Sequence, residues 1–398
     1  MELTLFVDHA CNLRCSYCYT GSKLPRPMSI TTAERAVDFA LARDPSGLTL
    51  AFFGGEPTLH LDRLEKIHAY ATARLAETNP HAALVVRLNT NATLVTERVE
   101  EFVRRCSVVD AFVSLDGPAV IHDRHRLNLH GQGSHASALR GIERLAQAGA
   151  RVVSLAVISP DTAEALGEIA LEAFGLPLAR VHVTCNLRAT WDDAALECLR
   201  RGLAQAGAHW ADAFRSGRVI HFEPLTTKIL SHLHAAMPCA NRCQLGFDEM
   251  VVTPSGRLYT CGELVGEDLD PSLSIGDIDS GLDMPKLVRM REQKNRIESS
   301  CAGCEIRERC SSACGCKHVA LTGRFGSVTQ TLCDTETAFI EAADAVAEAL
   351  YRERCDAFLA FFYRKAWAPS SPQAYVSLRR KGESMGVTTT SLAASVPK

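Results

Sequence analysis

The sixteen cysteines of this 398-residue chain are grouped, and the grouping limits what the chain can fold into more than any other feature. Cys11, Cys15 and Cys18 share one short stretch near the start. Nine more lie between Cys239 and Cys333, while Cys106, Cys185, Cys198 and Cys355 stand apart. Sixteen in 398 is well below the ~8–10% of a secreted disulfide scaffold, and Met1-Glu2-Leu3 opens neither a basic nor an apolar export segment. Cysteines in a reducing compartment bind metal more often than they pair, so two metal-binding regions are expected, in a cytoplasmic protein. No apolar run approaches the ~20 residues of a membrane span. With 43 basic and 46 acidic residues, the chain lacks the basic surplus that nucleic acid or an anionic membrane demands. A hydrophobic content of 46% supplies a sizeable core and excludes overall disorder.

Short apolar runs, often β-branched, predict strands at 3–7, 48–53, 84–88, 111–115, 152–158 and 180–184. Helical patterns separate them. One starts at Thr31 with Glu34 three residues on, which reads as a capping box. Others run near 60–76, 96–105, 136–147 and 163–174. Strict alternation implies a parallel sheet. Six units are too few for a closed eight-stranded barrel, so an open partial barrel competes with a flat doubly wound sheet. Phosphate-loop and GxGxxG signatures are both missing.

Cys11-x3-Cys15-x2-Cys18 follows directly on the first predicted strand. Three thiolates on one loop can hold three corners of a cubane 4Fe–4S cluster and leave its fourth iron open, as a catalytic zinc keeps an open position. A zinc site short of one ligand, or three unrelated thiols, fits the same spacing. The surrounding residues say more. Cys11-Asn12-Leu13-Arg14-Cys15-Ser16-Tyr17-Cys18-Tyr19 has an aromatic residue before its third cysteine. Gly54-Gly55-Glu56-Pro57, Asn89-Thr90-Asn91 and Ser114-Leu115-Asp116-Gly117-Pro118 follow the second, third and fourth strands, and then comes His122-Asp123-x-x-Arg126. Each falls where parallel α/β folds place their sites. In this set and order the chain resembles the radical S-adenosylmethionine (radical SAM) superfamily.

That resemblance implies an α/β fold, a partial (β/α)6 TIM-like barrel over residues 1–190. It implies a 4Fe–4S cluster on Cys11, Cys15 and Cys18, whose open iron takes the amino and carboxylate groups of S-adenosyl-L-methionine (SAM). Gly54 and Gly55 would let the backbone approach the methionine amine. Ser114 would contact the ribose, Arg126 the methionine carboxylate and Tyr17 the adenine, with Asn89 also among the cofactor-binding residues. Glu56 either touches the cofactor or organises the glycine turn. His122 and His125, three apart, read as supporting or surface histidines ahead of metal ligands.

Cys301-x2-Cys304-x5-Cys310-x3-Cys314, then Cys333, is preceded by Cys243-x12-Gly256-x4-Cys261. Together these resemble the SPASM extension of radical SAM enzymes, which carries two auxiliary 4Fe–4S clusters. The resemblance implies Cys239, Cys243, Cys261 and Cys314 for the first cluster, and Cys301, Cys304, Cys310 and Cys333 for the second. Cys239 lies closer to Cys243 than relatives space this pair, and Cys316 is placed to replace or crowd a ligand. A zinc ribbon would use only four of these thiols. The expected organisation is thus the barrel at 1–190, a helical bridge at 191–238, a metal-dependent SPASM region at 239–334, a helix at 335–366 and a flexible tail at 367–398. Cys106, Cys198 and Cys355 read as packing residues in helices, and Cys185 ends the sixth strand.

By resemblance, the bound cofactors would yield methionine and a 5′-deoxyadenosyl radical that takes a hydrogen from an unactivated carbon. SPASM relatives mostly act on peptides or proteins. The leading expectation is a maturase that installs an oxidative C–S or C–C cross-link, or a related oxidation, in a ribosomally made peptide. Its partners would be that peptide, an external electron donor of flavodoxin or ferredoxin type, and a separate leader-binding protein, because no leader-binding domain fits ahead of Cys11. The alternatives are anaerobic sulfatase-maturase-like formylglycine formation and radical chemistry on a small metabolite. Against the former, Phe53 stands where those enzymes have Gln, and Gly262 where they have an Asp base, leaving Glu263 as the nearest substitute. A cluster-binding scaffold without activity would not need the SAM-site residues.

Overall fold

The computed structural model describes residues 1–234, 245–247, 249–296, 301–311 and 314–364. Seven strands alternate with helices: β1 (Glu2–Asp8), β2 (Leu48–Gly54), β3 (Leu84–Thr90), β4 (Val109–Ser114), β5 (Arg151–Ile158), β6 (Arg180–Cys185) and β7 (Phe222–Glu223). All neighbouring pairs in this series are parallel, in the order β7-β6-β5-β4-β3-β2-β1. Two further strands, β8 (Glu249–Val252) and β9 (Leu258–Tyr259), extend the sheet beyond β1. β7 and β9 are its two ends, so the sheet is an open partial barrel.

The helices are α1 (Ile30–Arg43), α2 (Leu61–Thr78), α3 (Glu97–Arg105), α4 (Ala119–His125), α5 (His135–Gln147), α6 (Leu166–Gly175), α7 (Asp193–Arg215) and α8 (Leu225–His234). Their boundaries follow from local chemistry. α3 buries Val99, Phe102 and Val103, one face of a helical period, and carries Glu97 and Glu100 in its first turn with Arg104 and Arg105 in its last. That arrangement opposes the helix dipole with charge at both ends. α7 starts at Asp192, whose side chain accepts the Ala195 N–H at 2.8 Å. α1 corrects the capping-box expectation: it begins at Ile30, and Ser29, held extended, accepts the Thr32 N–H. Thr31 already sits inside the first turn, where its hydroxyl has no cap to make.

Side chains alternate across the strands. On β6, Val181, Val183 and Cys185 enter the core packed by α6 and α7, and Arg180, His182 and Thr184 take the opposite face. On β3, half-buried Arg87 and Asn89 alternate with buried Val86 and Leu88. The barrel therefore has an apolar outside under its helices and a polar inside.

The cysteine-rich segment is built into the same sheet. β8 runs parallel to β1, pairing Glu2 with Glu249 and Leu5 with Val252, and Met250, Leu258, Tyr259 and Ile275 join the core beneath β1 and β2. The last long helix spans Gln330–Arg352, packs on α7 and stops before Arg354, whose φ of 54° breaks the run into a short helix at Asp356–Leu359. It starts earlier than the pattern predicts because Thr329 caps it, accepting the Leu332 N–H. Cys239, Cys243 and the whole of the expected tail lie outside the described residues. Among those described, no helix is long and apolar enough to cross a membrane.

Candidate active site

The cysteine loop leaves the carboxyl end of β1 and is pinned to the end of β2. Gly55 N–H donates to Asp8 O at 2.7 Å, and Glu56 N–H to Ala10 O at 2.9 Å. This approach explains the glycine pair from within the chain. A Cβ on Gly55 would lie 1.9 Å from Ala10 O, and one on Gly54, at φ +130°, would lie 2.3 Å from Asp8 O. Residues 8–10 thus fill the space a side chain would need. Glu56 is buried and accepts from Thr58 N–H, Thr58 Oγ1 and Thr90 Oγ1 on one oxygen and from Asn91 N–H on the other. It clamps the end of β2 to the end of β3, the organising role. Asn89 does similar work, donating from Nδ2 to Phe52 O at 3.1 Å. Ser114 ends β4, half-buried.

Each sulfur of the loop meets a different nitrogen donor. Leu13 N–H points at Cys11 Sγ at 3.4 Å and Asn91 Nδ2 lies 3.8 Å from it. Arg126 Nη1 lies 4.0 Å from Cys15 Sγ, and Lys23 Nζ lies 2.9 Å from Cys18 Sγ. Burial pushes the Cys11 thiol up to about 11 and raises that of Cys15. Burial would raise Cys18 too, but Lys23 and Thr20 outweigh it and bring that thiol below its ordinary value. Three soft donors on one loop, each faced by an N–H, fit the electron-rich sulfurs of an iron–sulfur cluster. Among the described residues, no group of three or more His, Cys, Asp or Glu side chains is arranged around a single metal ion.

Arg126 and Tyr17 converge on Asp116, to which the sequence reading gave no role. Arg126 donates to both Asp116 oxygens, at 2.8 and 3.1 Å. The Tyr17 hydroxyl donates to the same carboxylate, and the guanidinium lies 5.2 Å over the Tyr17 ring. Burial would raise Asp116, but Arg126 and the hydrogen bonds hold it below the usual carboxylate range. His122 supports the group from behind. Its Nδ1 accepts the Asp116 N–H at 3.2 Å, which places its proton on Nε2, 3.0 Å from Ser134 Oγ. Burial, followed by the nearby Arg126, pushes it down to about 4, so it is a neutral structural histidine. His125 bridges Ser16 and Asp161 at the surface. The signal for Asp116 was present in its position, two residues past the end of β4.

The C-terminal cysteines approach the same mouth. Arg188 pairs with Glu263 at 3.0 Å and lies 5.2 Å over the ring of Tyr19, which stacks on Phe53. Cys261 precedes the turn Gly262–Leu264. Cys314 caps the helix Gly315–Thr322, and buried Cys316 hydrogen-bonds with both Cys261 and Cys314. Of the second expected set, Cys333 lies within electrostatic reach of Cys301 and Cys304. Cys185 lines a cavity of about 340 Å³ with His182, Thr184, Cys314, Lys317 and Glu336. Burial pushes its thiol up to about 12, which disfavours the thiolate. Glu336, on the wall of this cavity, accepts from the buried Lys228 Nζ at 2.5 Å.

Comparison with known proteins agrees with this geometry. Residues 7–173 match the family model of the radical SAM superfamily. The chain is 24% identical over 326 residues to the serine-type anaerobic sulfatase-maturating enzyme of Klebsiella aerogenes, covering 77% of this chain and 78% of that one. It is 26% identical over 328 residues to the mycofactocin maturase MftC of Mycolicibacterium smegmatis, covering 78% and 77%. An uncharacterized protein of Methanocaldococcus jannaschii is 34% identical over 141 residues, 35% of this chain, and there the match spans only about half, 47%, of the relative's length. Among solved structures, native anSMEcpe with bound AdoMet has a TM-score of 0.73 at 18% identity, covering 88% of this chain and 99% of that one. SuiB of Streptococcus suis bound to precursor peptide SuiA has a TM-score of 0.56 at 15% identity, covering 82% and 74%. Residues 7–173 form a radical SAM domain, and the chain is an enzyme that resembles peptide- and protein-modifying maturases.

Proposed function

We propose that this enzyme is a radical SAM/SPASM maturase that modifies a ribosomally made peptide by an oxidative C–S or C–C cross-link or a related side-chain oxidation. The observation that carries the reading is the loop of Cys11, Cys15 and Cys18 at the mouth of the open barrel, with each sulfur faced by a nitrogen donor from elsewhere in the site. When bound, the 4Fe–4S cluster and SAM supply one-electron reductive cleavage and the hydrogen-abstracting radical. The chain's own residues hold and orient. Glu56 and Asn89 fix the strand ends, and Asp116 fixes Arg126 and Tyr17 beside the loop. Gly54, Gly55, Ser114, Arg126 and Tyr17 would line SAM.

A peptide substrate is supported by the open sheet, whose ends do not close, and by relatives that include sulfatase and mycofactocin maturases. The peptide would be held by the barrel rim and the SPASM region or delivered by a separate leader-binding protein, with electrons from a flavodoxin- or ferredoxin-type donor. Formylglycine formation is the second reading, favoured by the sulfatase-maturase relatives. Glu263, its substitute base, is engaged by Arg188, which weighs against it. The test is anaerobic incubation of the reconstituted enzyme with reductant, SAM and candidate precursor peptides. A mass loss of about 2 Da with 5′-deoxyadenosine formation is expected for a cross-link. Turnover of a small metabolite alone, with no peptide modified, would overturn the peptide reading.

A further inference from the structure

We propose that Cys316 is a ligand of the auxiliary cluster served by Cys261 and Cys314, so that the Cys314-Gly315-Cys316 step supplies two thiolates to one cluster. The inference rests on the reading of the C-terminal region as cluster-binding, and adds to it a residue outside the expected set. In a helix interior, residues two apart point about 200° away from each other, so a C-x-C step there cannot face one centre. This step is not in a helix interior. Cys314 is the extended cap, with φ −74° and ψ 101°, and the helix begins only at Gly315. The change of backbone at the cap lifts that helical restriction on the pair. The helix Gly315–Thr322 packs against the turn Gly262–Leu264, which brings Cys261 to the same place.

The result is a three-thiol group. Cys316 is 2% exposed and hydrogen-bonds with the thiols of Cys261 and Cys314, and both of these pack against the core of which it is part. Burial of a thiol purely for packing needs only a small apolar partner. Here the neighbours are two sulfurs from separate segments, soft donors of the kind an iron–sulfur cluster takes, although the three are not set around a single metal ion. With Cys316 included, the described residues supply three thiolates to this cluster without Cys239.

The experiment uses full-length protein in which Cys11, Cys15 and Cys18 are replaced by Ala, so that only auxiliary clusters contribute. After anaerobic reconstitution this protein should hold about eight iron and eight sulfide. Adding Cys316→Ala should lower iron toward about half or leave a three-iron EPR signal, while the second cluster's signal persists and reports an intact fold. If Cys316→Ala fails to fold, Cys316→Ser carries the test: its oxygen can keep the iron but must shift the EPR spectrum. Retention of full iron with unchanged spectra in the folded Ala variant, or an unshifted spectrum in the Ser variant, overturns the assignment of Cys316 alone. A background protein with no sulfide overturns the cluster reading together with it.

Discussion

Asp116 holds Arg126 through both carboxylate oxygens, at 2.8 and 3.1 Å, in a pair almost closed to solvent. Removing one partner of a buried pair costs about 3–5 kcal/mol, because the other charge is left uncompensated. Asp116→Ala should therefore destabilise the cluster-loaded enzyme by several kcal/mol in urea unfolding. The carboxyl is held below its ordinary value, so the contribution is complete above ~3.9 and is lost as pH falls through the lowered folded value. An Asp116→Ala protein with parental stability would mean that the pair does not form.

Arg126 also faces Cys15, and its variant separates two roles. Loss of a charge-assisted contact to SAM should weaken SAM binding by about 1.5–3 kcal/mol, read by anaerobic equilibrium dialysis of Arg126→Lys, which keeps the charge, against Arg126→Ala. Equal SAM affinity in parent and Arg126→Ala would confine the residue to its bond with Asp116.

Replacing Cys11, Cys15 and Cys18 together with Ala should abolish 5′-deoxyadenosine formation and remove about four of about twelve iron. Cys310→Ala should behave differently, keeping some SAM cleavage while peptide product is lost. Normal SAM cleavage by the triple variant would displace the catalytic cluster from this loop.

His122 gives a pH signature. Its folded pKa of about 4 lies below the ordinary histidine value of ~6.5, so the unfolded chain takes up the proton first. Stability should fall as pH drops from about 6.5 toward about 4, by up to about 1.4 kcal/mol per pH unit from this one group. Glu336 acts at lower pH. Burial would raise it, but Lys228 and Lys317 bring it down to about 2, so its pairing persists well below the range where free carboxylates protonate. Urea midpoints measured from pH 7 to pH 4 for the parent and His122→Gln should diverge. Parallel curves would remove His122 as the cause.

Much of this was legible because buried parallel strands announce themselves. All six predicted strands fall within about two residues of those observed, and the glycine turn, Asn89 and Ser114 sit at strand ends as read. What escaped notice has particular causes. β7 is two residues long and has no periodicity to detect. β8 looks like any short apolar run until it pairs with β1 more than 240 positions away, a contact no local pattern encodes. The cap falls on Ser29 and not on Thr31, and a hydroxyl alone does not distinguish the two. Glu56 was left open between two roles, and only its four donors favour one. Asp116 lies in the loop past β4, and its role follows only from tertiary contacts with Arg126 and Tyr17.

β8 has a consequence for how the molecule can be divided. β1 is buried along six of its seven residues and pairs with β2 on one side and β8 on the other. A chain cut before Glu249 would leave β1 as a bare, apolar edge, with the N–H and C=O groups that face β8 unpaired and ready to recruit a neighbouring molecule. The cysteine-rich segment is thus a guard against self-association for the very strand that leads into Cys11. An isolated barrel fragment should clump at concentrations where the whole chain stays dispersed.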